Sequence, residues 1–444
     1  MAWLCRSSSW RRTWPEQAEA HFKQSKQNEN TREETLKIGQ IALAAPFALL
    51  LTASTALMPN AANAQISDNA VKIGILTDMS GPFADFAGPG SVVAAELAVE
   101  DFGQKVLGKP VKILSANSEL KPDVASARAR EWFDVEGVDM INELTGSTIA
   151  LGISQLAREK NRIAIVNSAA VTALTNEQCS PNTVHFAYDI YSIASATVEP
   201  IVKTGGKTWF FLTQDTTGGS SLEETVTKFL GVAGGRKIGA VRHPLNAQDF
   251  SSFLLQAQAS KAEVIALANS GSELINTIKG AREFGIVQGG QKLAATNVFI
   301  TDVHALGLPV AQGLLLATSF YWDYDDQTRA FAKRFFQRMN KMPTMSQAGT
   351  YSSTKLYLNA IQQAGTDEPA AVMRKMREIP VNDIFKNGRL REDGSVMHDM
   401  FLAEVKKPSE SKAPWDYYKI LAVVPAEKAY QPMEKSRCSL VRKN

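Results

Sequence analysis

Residues 71–102 read VKIGILTDMSGPFADFAGPGSVVAAELAVEDF and contain, in order, one strand, one turn and one helix. Residues 71–77 form an apolar run of strand length, and residues 91–102 have the periodicity of a helix. The turn between them carries Gly81-Pro82. A strand that leads through such a turn into a helix is the first half of a βαβ unit, so this stretch predicts an α/β fold.

The same alternation of strand-like runs and helical segments continues along the chain. It predicts strands at residues 111–117, 139–144, 162–168, 207–213, 237–244, 263–269, 297–301 and 313–320, with helices between most of them, among them 149–160 and 221–233. Two final runs, 401–407 and 417–425, predict a hairpin. This order predicts two doubly wound α/β lobes with central, mostly parallel sheets.

An export signal precedes this fold. Residues 41–57 are almost wholly apolar or small, and Ala62-Asn63-Ala64 has the small-x-small pattern that signal peptidase cleaves. We expect cleavage between Ala64 and Gln65. The apolar run barely reaches the ~18 to 20 residues that span a bilayer, and it contains Pro46, which disfavours a membrane anchor. Residues 1–64, an N-terminal extension plus signal peptide, are therefore excluded from the fold.

Length and charge limit the function of the mature chain. Removing 64 of 444 residues leaves 380, enough for two lobes of about 150 to 200 residues. Of 48 basic and 45 acidic residues, seven and five precede Gln65, which leaves 41 against 40. Nucleic-acid binding needs a basic face, and this balance argues against it. No second apolar run of membrane length follows, so we expect no membrane insertion of the mature chain.

Cys179 and Cys438 are the cysteines that remain after removal of the signal. They either form a disulfide that ties the C-terminal tail to the body or remain two free thiols, and the sequence leaves both alternatives open. No CxxC pair and no clustered His accompany them, so we expect no metal site and no redox role.

Candidate binding residues follow the predicted strands, because ligands of open α/β sheets bind at the carboxyl ends of strands, near helix N-termini. Gly146-Ser147-Thr148 opens a predicted helix and would suit a carboxylate; the alternative is that Ser147 or Thr148 only caps the helix. Phe86 would close over a ligand or belong to the core. Asp302, after predicted strand 297–301, would meet a ligand's ammonium or cap a helix. Tyr321 would line the pocket or simply pack.

Signatures of enzymes are scarce in this chain. It contains no GxSxG, no GxxxxGK[ST] and no HExxH, and its histidines lie far apart in the sequence. A hydrolase on an α/β scaffold would need a nucleophile with a nearby base, and no such set is evident. We therefore expect no catalysis and no cofactor.

Several segments together carry a resemblance to a known family. Residues 73–102, 168–175 (SAAVTALT), 249–252 (DFSS), 279–285 (KGAREFG), 347–352 (QAGTYS) and 387–389 (NGR) occur in the family's order. They resemble the periplasmic solute-binding proteins of the branched-chain amino acid (Leu/Ile/Val-binding) ABC transporter type. The resemblance implies a type I periplasmic-binding fold, with two lobes joined by three crossover segments and a small-molecule ligand held between them.

The resemblance also implies roles for individual residues. Phe86 would cover the ligand, and the carboxylate would be held from lobe one by Gly146, Ser147, Ala169 and Ala170. From lobe two the ligand would be faced by Asn269, Ser270 and Asp302. The chain departs from the family at Ala170, where amino-acid binders usually have Thr, at Thr217, where many have Tyr, and at Asp302, which replaces Glu. These departures favour a different small carboxylate, such as an aromatic acid or amide.

The resemblance implies a periplasmic protein that closes on its ligand by a hinge and delivers it to an inner-membrane ABC permease. We expect a monomer, with lobe one at residues 65–189 and 319–398 and lobe two at residues 190–318 and 399–444. The alternative is a periplasmic sensor that passes the closure signal to a receptor, which a fused membrane helix or signalling domain would favour.

Overall fold

The computed structural model describes residues 66–441 except residues 204 and 296. The predicted cleavage site at Ala64 and Gln65 lies outside the described residues. The first part of the described chain alternates strands and helices, as the sequence predicts. Its elements are β1 (Val71–Thr77), α1 (Gly88–Asp101), β2 (Lys105–Val106), β3 (Lys109–Asn117), α2 (Pro122–Glu131), β4 (Met140–Glu143), α3 (Ser147–Glu159), β5 (Ile163–Val166) and β6 (Thr183–His185).

The alternation resumes in the middle of the chain and gives way to helices and a hairpin. The elements are α4 (Ile190–Lys203), β7 (Thr208–Gln214), α5 (Thr217–Val232), β8 (Arg236–His243), α6 (Ser251–Ala259), β9 (Val264–Ala268), α7 (Gly271–Glu283), β10 (Lys292–Ala295), α8 (Ile300–Leu306), α9 (Leu308–Ala311), β11 (Leu315–Thr318), α10 (Asp326–Met339), α11 (Met345–Ala364), α12 (Pro369–Glu378), β12 (Arg389–Leu390), β13 (Val396–Met397), β14 (Met400–Val405), β15 (Tyr418–Val424) and α13 (Ala426–Ala429).

Two mostly parallel sheets organise these elements. The first has the order β2-β3-β1-β4-β5-β6, with only β2 antiparallel to its neighbour, and the second has the order β10-β9-β7-β8. The predicted tail hairpin joins an antiparallel sheet, β11-β14-β15. The chain passes between the two lobes after β6, after β11 and between β13 and β14. The predicted fold class is thus confirmed, whereas the residue boundaries of the lobes stay a prediction.

The inner strands of the two parallel sheets, such as β1, β5 and β9, are almost fully buried under helices and are mostly apolar, whereas the edge strand β8 is largely exposed. Trp132 packs directly on Gly74 in β1, where a Cβ atom would lie 2.5 Å from the indole ring. On the opposite face α1 packs against α11 and α10. Arg334 of α10 bonds Glu100 and Asp101 of α1, so helices from distant parts of the chain cover the first sheet.

The structure joins Cys179 and Cys438 in a disulfide, with their Cα atoms 5.6 Å apart and a sequence separation of 259. In the chain-entropy model, closing a loop of this length destabilises the unfolded state by up to ~5 kcal/mol. The link ties the C-terminal tail to the loop that precedes β6.

Two predicted elements near the cleft are wrong in detail. Residues 297–301 do not form a strand; the last strand of the second sheet is β10, and helix α8 begins at Ile300. The α8 helix starts there because the Asp302 carboxylate accepts the N–H of Phe299 at 2.9 Å and caps it. Helix α5 begins at Thr217, four residues earlier than predicted, because Thr216 caps it by accepting the N–H of Gly219.

Within residues 66–441, apart from 204 and 296, no helix is long and apolar enough to cross a membrane. In the same part of the chain, no group of three or more His, Cys, Asp or Glu side chains is arranged to hold a metal ion.

Candidate functional site

A cavity of about 150 Å³ lies where the carboxyl ends of the two parallel sheets face each other. Its walls come from the turns after β1, β4 and β5 on one side and after β7, β9 and β10 on the other. This is the position that the sheet rule predicts for a ligand. We refer to the two sides as the lobe-one wall and the lobe-two wall.

Most of the predicted binding residues meet at this cavity. Eight of them line it: Phe86, Gly146, Ser147, Thr148, Ala169, Ala170, Asn269 and Ser270. The structure does not bring Asp302 and Tyr321 to it. These placements leave the binding roles themselves as predictions, but they select the residues to test.

Three helix N-termini reach the cavity. Helix α3 begins at Ser147, α5 at Thr217 and α7 directly after Ser270, and all three positions lie in or next to the lining. The first N–H groups of a helix lack intrahelical partners, and the helix dipole makes this end partly positive. In α5 the Gly219 N–H already bonds Thr216 Oγ1, and in α7 the Ser272 N–H already bonds the Pro82 carbonyl. Together the three helix dipoles still suit a negatively charged ligand group without requiring a basic side chain.

Apolar side chains complete the lining. Phe83, Leu120, Ile149, Ile193 and Leu222 belong to it, and none of the described lining residues is Asp, Glu, Lys, Arg or His. Phe86 is 3% exposed and stacks on Phe299 with ring centroids 4.2 Å apart. The aromatic ring is thus part of a packed wall. A cavity of this composition can accept an apolar ligand body and one anionic group.

The two walls touch each other at the rim of the cavity. The Thr148 hydroxyl lies 2.9 Å from that of Thr217, across the cleft. A Cβ atom on Gly271 would lie 2.3 Å from the carbonyl oxygen of Pro82, and this glycine has φ of +63°. Glycine at this position therefore allows the close approach of the two lobes.

A buried carboxyl lies directly behind the lobe-one wall. Glu143, the last residue of β4, is fully buried and receives hydrogen bonds from Ser168 Oγ, from Thr145 Oγ1 at 3.1 Å and from Thr350 Oγ1 at 2.9 Å. Thr145 and Ser168 also line the cavity. Burial raises the pKa of Glu143 above its ordinary value, against the opposite effect of these hydroxyl groups.

The lobe-two wall also has a buried glutamate behind it, but with different partners. Glu273 accepts the side-chain amide N–H of Gln214 and the backbone N–H of Asn246. Burial raises the pKa of this carboxyl as well. Gln214 Oε1 accepts from the Thr216 hydroxyl at 3.1 Å, which fixes the orientation of the amide.

Hydrogen bonds fix the orientation of the Asn269 side-chain amide in the same wall. Its Nδ2 donates to Thr277 Oγ1 at 3.0 Å, and that hydroxyl donates in turn to the Glu273 carbonyl. The same Nδ2 lies 3.2 Å from Nε2 of His243, whose Nδ1 bonds the Pro244 carbonyl and must carry the proton. Burial lowers the pKa of His243 and favours its neutral form. Asn269 Oδ1 is consequently the acceptor, and it has no hydrogen-bond partner among the described residues.

Asp302 and Tyr321 lie away from the cavity for identifiable reasons. Asp302 is 1% exposed and caps α8, and burial raises its pKa to about 8. The alternative left open by the sequence, a helix cap, is therefore the role that the structure shows for it. The Tyr321 ring packs against Tyr418, and its hydroxyl donates to Asp416 at 3.4 Å.

The binding residues predicted from the sequence do not include every residue that lines the cavity. Thr145, Ser168 and Gln214 lie in turns that the sheet rule selects, so that rule was sufficient to find them. Asn297 was missed because residues 297–301 were interpreted as a strand. Glu143 had a signal of its own, since it is a charged residue at the end of a run that is otherwise suited to a buried strand.

Comparisons with known proteins agree with this geometry. Residues 70–412 match the family model described as periplasmic binding protein. A periplasmic binding protein from Burkholderia mallei is 49% identical and covers 84% of this chain and 100% of its own, with a TM-score of 0.83. A branched chain amino acid ABC transporter periplasmic ligand-binding protein from Burkholderia xenovorans is 43% identical. It covers 84% of this chain and 100% of its own, with a TM-score of 0.75.

Two more distant proteins are also similar to this chain. A Leu/Ile/Val-binding protein homolog from Brucella melitensis is 24% identical over 332 residues, which is 73% of this chain and 83% of the homolog. A solute-binding protein of an ABC transporter from R. palustris, in complex with 4-hydroxybenzoate, is 22% identical with a TM-score of 0.72, over 80% of this chain and 97% of its own.

The family match spans most of the chain, and the two Burkholderia structures are covered in full. The type I fold and the cleft between its lobes are those of a solute-binding protein. The chain therefore belongs to the periplasmic binding protein family of ABC transporters.

Proposed function

We propose that this chain captures a small carboxylate-bearing ligand in the cavity by hinge closure and delivers it to an ABC importer. The observation that carries the proposal is the convergence of three helix N-termini on an apolar cavity whose described lining has no charged side chain. Such a site stabilises an anion through backbone N–H groups and hydroxyls. Residues that would hold the carboxylate are Gly146, Ser147 and Thr148.

An aromatic acid fits the cavity better than an α-amino acid. No acidic side chain among the described lining residues is available to pair with an ammonium group. An apolar protein cavity of about 150 Å³ is known to hold a benzene ring, and this cavity has a similar volume. The 4-hydroxybenzoate bound by the R. palustris protein with the same fold is a ligand of this kind. The free Asn269 Oδ1 would accept a neutral donor such as a ligand hydroxyl.

The same proposal covers the export of the chain, its oligomeric state and its lack of catalysis. The chain would be exported to the periplasm, where its signal would be cleaved after Ala64. The mature chain would act as a monomer and would catalyse no reaction. The second candidate, a periplasmic sensor, would use the same cavity, so it differs in the partner and not in the ligand.

Calorimetric titration of the mature protein with benzoate, 4-hydroxybenzoate, benzamide, leucine and glucose tests the ligand class. We expect at least one of the two acids to bind more tightly than benzamide and glucose, which have no anionic group for the helix N-termini. It should also bind more tightly than leucine, whose ammonium group would have no acidic partner in the described lining. Preferential binding of glucose or of the uncharged amide would overturn the proposal.

The variant Ser147→Ala tests the anion contact within this experiment. Removing one hydroxyl donor to a carboxylate should weaken acid binding about tenfold. Ser154→Ala is the matched control, because Ser154 lies two turns later in α3, is 2% exposed and is absent from the lining. Unchanged affinity in Ser147→Ala would contradict the assigned contact.

A further inference from the structure

We propose that Glu143 carries a proton under the floor of the cavity and makes ligand capture proton-linked, so that the lobe-one wall accepts an anion only while this carboxyl is neutral. The inference rests on the proposed carboxylate site and adds a regulatory element to it. Glu143 itself would not touch the ligand. It would act through two hydroxyls of the wall, those of Thr145 and Ser168.

The surroundings of Glu143 contain hydroxyl groups and no compensating cation. Its carboxyl is faced by Ser91 from α1, Thr145 from the turn after β4, Ser168 from the turn after β5 and Thr350 from α11. Tyr188, whose hydroxyl donates to the Ser168 carbonyl, is the nearby ionisable side chain. No Lys, Arg or His of the described chain forms an ion pair with Glu143. Burying an unpaired charge is costly, so the neutral acid is the favoured form.

The direction of the hydrogen bonds links this carboxyl to the cavity. An ionised carboxylate only accepts, so Thr145, Ser168 and Thr350 must all donate to it, and the two wall hydroxyls can then offer only lone pairs to a ligand. A neutral carboxyl donates its own proton to one of these hydroxyls. Ser168, which bonds this carboxyl and also lines the cavity, can then turn its O–H towards the cavity. The protonated state therefore supplies a donor and removes a negative charge next to the anion site.

The backbone at this point is also unusual. Glu143 and Leu144 both have positive φ, 88° and 59°, in a region that non-glycine residues rarely adopt. Such conformations carry backbone strain and cluster at functional sites. These two residues end β4 and place the Glu143 side chain inside the protein. The chain then passes directly into the turn before α3.

Titration calorimetry of the wild-type mature protein with the more tightly bound of benzoate and 4-hydroxybenzoate tests the linkage. Affinity is measured from pH 5.5 to 9, in pairs of buffers with different ionisation enthalpies. Above the Glu143 pKa we expect uptake of about one proton per ligand and about a tenfold loss of affinity per pH unit. The ligand carboxylate is ionised throughout this range and contributes no proton of its own.

Two variants separate Glu143 from other titrating groups. Glu143→Gln should keep the affinity of the protonated wild type and show no pH dependence. Asp139→Asn is the matched control, because Asp139 precedes the same strand at its other end, outside the described lining of the cavity, and has a pKa raised by burial to about 6. This control should retain the wild-type pH profile.

The outcomes distinguish the inference from the proposed function. Acid binding with a flat pH profile and no proton uptake in the wild type would overturn the role of Glu143 and leave the carboxylate site intact. Loss of the pH dependence in Asp139→Asn would reassign the linkage to that group. Binding of neither acid at any pH would contradict the carboxylate site and, with it, the inference.

Discussion

The two walls of the cavity differ in the hydrogen-bond partners of the buried glutamate behind each of them. The lobe-one wall presents the N-terminus of α3 and the lobe-two wall those of α5 and α7, and each wall has a buried glutamate behind it, Glu143 in lobe one and Glu273 in lobe two. The described side-chain partners of Glu143 are hydroxyls, which can reverse their hydrogen bonds. Glu273 is held by N–H donors, which cannot reverse. The comparison teaches that the lobe-two wall has a fixed polarity, whereas the lobe-one wall can change polarity with one proton.

The largest expected effect comes from keeping the two walls apart. Gly271→Ala places a Cβ atom 2.3 Å from the Pro82 carbonyl and forces alanine to a φ of +63°. We expect about a 100-fold loss of affinity for the acid ligand, equivalent to about 2.7 kcal/mol, measured by titration calorimetry.

Gly231→Ala is the control for this substitution. Gly231 lies in α5, and a Cβ atom there meets nothing within 4 Å. Affinity should be unchanged in this variant. Wild-type affinity in Gly271→Ala would show that the contact between the walls is not needed for capture.

A second pair of variants compares the two glutamates directly. Glu273→Gln turns an NH₂ group towards an N–H donor and should lower the free energy of unfolding by about 2 kcal/mol. Glu143→Gln should cost less than ~1 kcal/mol, because its hydroxyl partners can rotate to suit an amide. Urea unfolding at pH 7 measures both values, and equal losses would contradict the difference between the walls.

The pH dependence of stability tests the raised pKa of Glu143. Burial raises the pKa of Glu143, so the folded state holds this proton more tightly than the unfolded state. The contribution to stability is then complete below the unfolded pKa of about 4.3 and is lost as pH rises through the folded value. Unfolding of wild type and Glu143→Gln between pH 4.5 and 9 should show a smaller decline in the variant. Parallel curves would contradict a raised pKa.

The smallest expected effect concerns the hydroxyl contact across the rim. Thr148→Val and Thr217→Val each remove one side of a 2.9 Å hydrogen bond between the lobes. A double-mutant cycle on ligand affinity should give a coupling energy of about 0.5 to 1 kcal/mol. Additive effects would mean that the two hydroxyls do not cooperate in the bound state.

The sequence predicted the fold better than it predicted the site. Alternating apolar runs were sufficient for both parallel sheets, and the strand-end rule placed Ser147 and Asn269 at the cavity. The strand-end rule failed at Asp302. Residues 297–301 (NVFIT) have the composition of a strand, but the hydrogen bond from the Phe299 N–H to the Asp302 carboxylate caps a helix there. The sequence shows Glu143 as a charged residue in a buried-strand run but could not assign its role, because that role depends on Ser168 and Thr350, which only the tertiary fold brings to it.

The most direct test of the account is a crystal structure of the mature protein with the tightest-binding acid of the panel. We predict the carboxylate within about 2.7 to 3.2 Å of the first backbone N–H groups of α3 and of Ser147 Oγ, with the ring between Phe86 and the lobe-two wall. A carboxylate turned towards Asn269, or a ligand bound outside this cavity, would contradict the central claim.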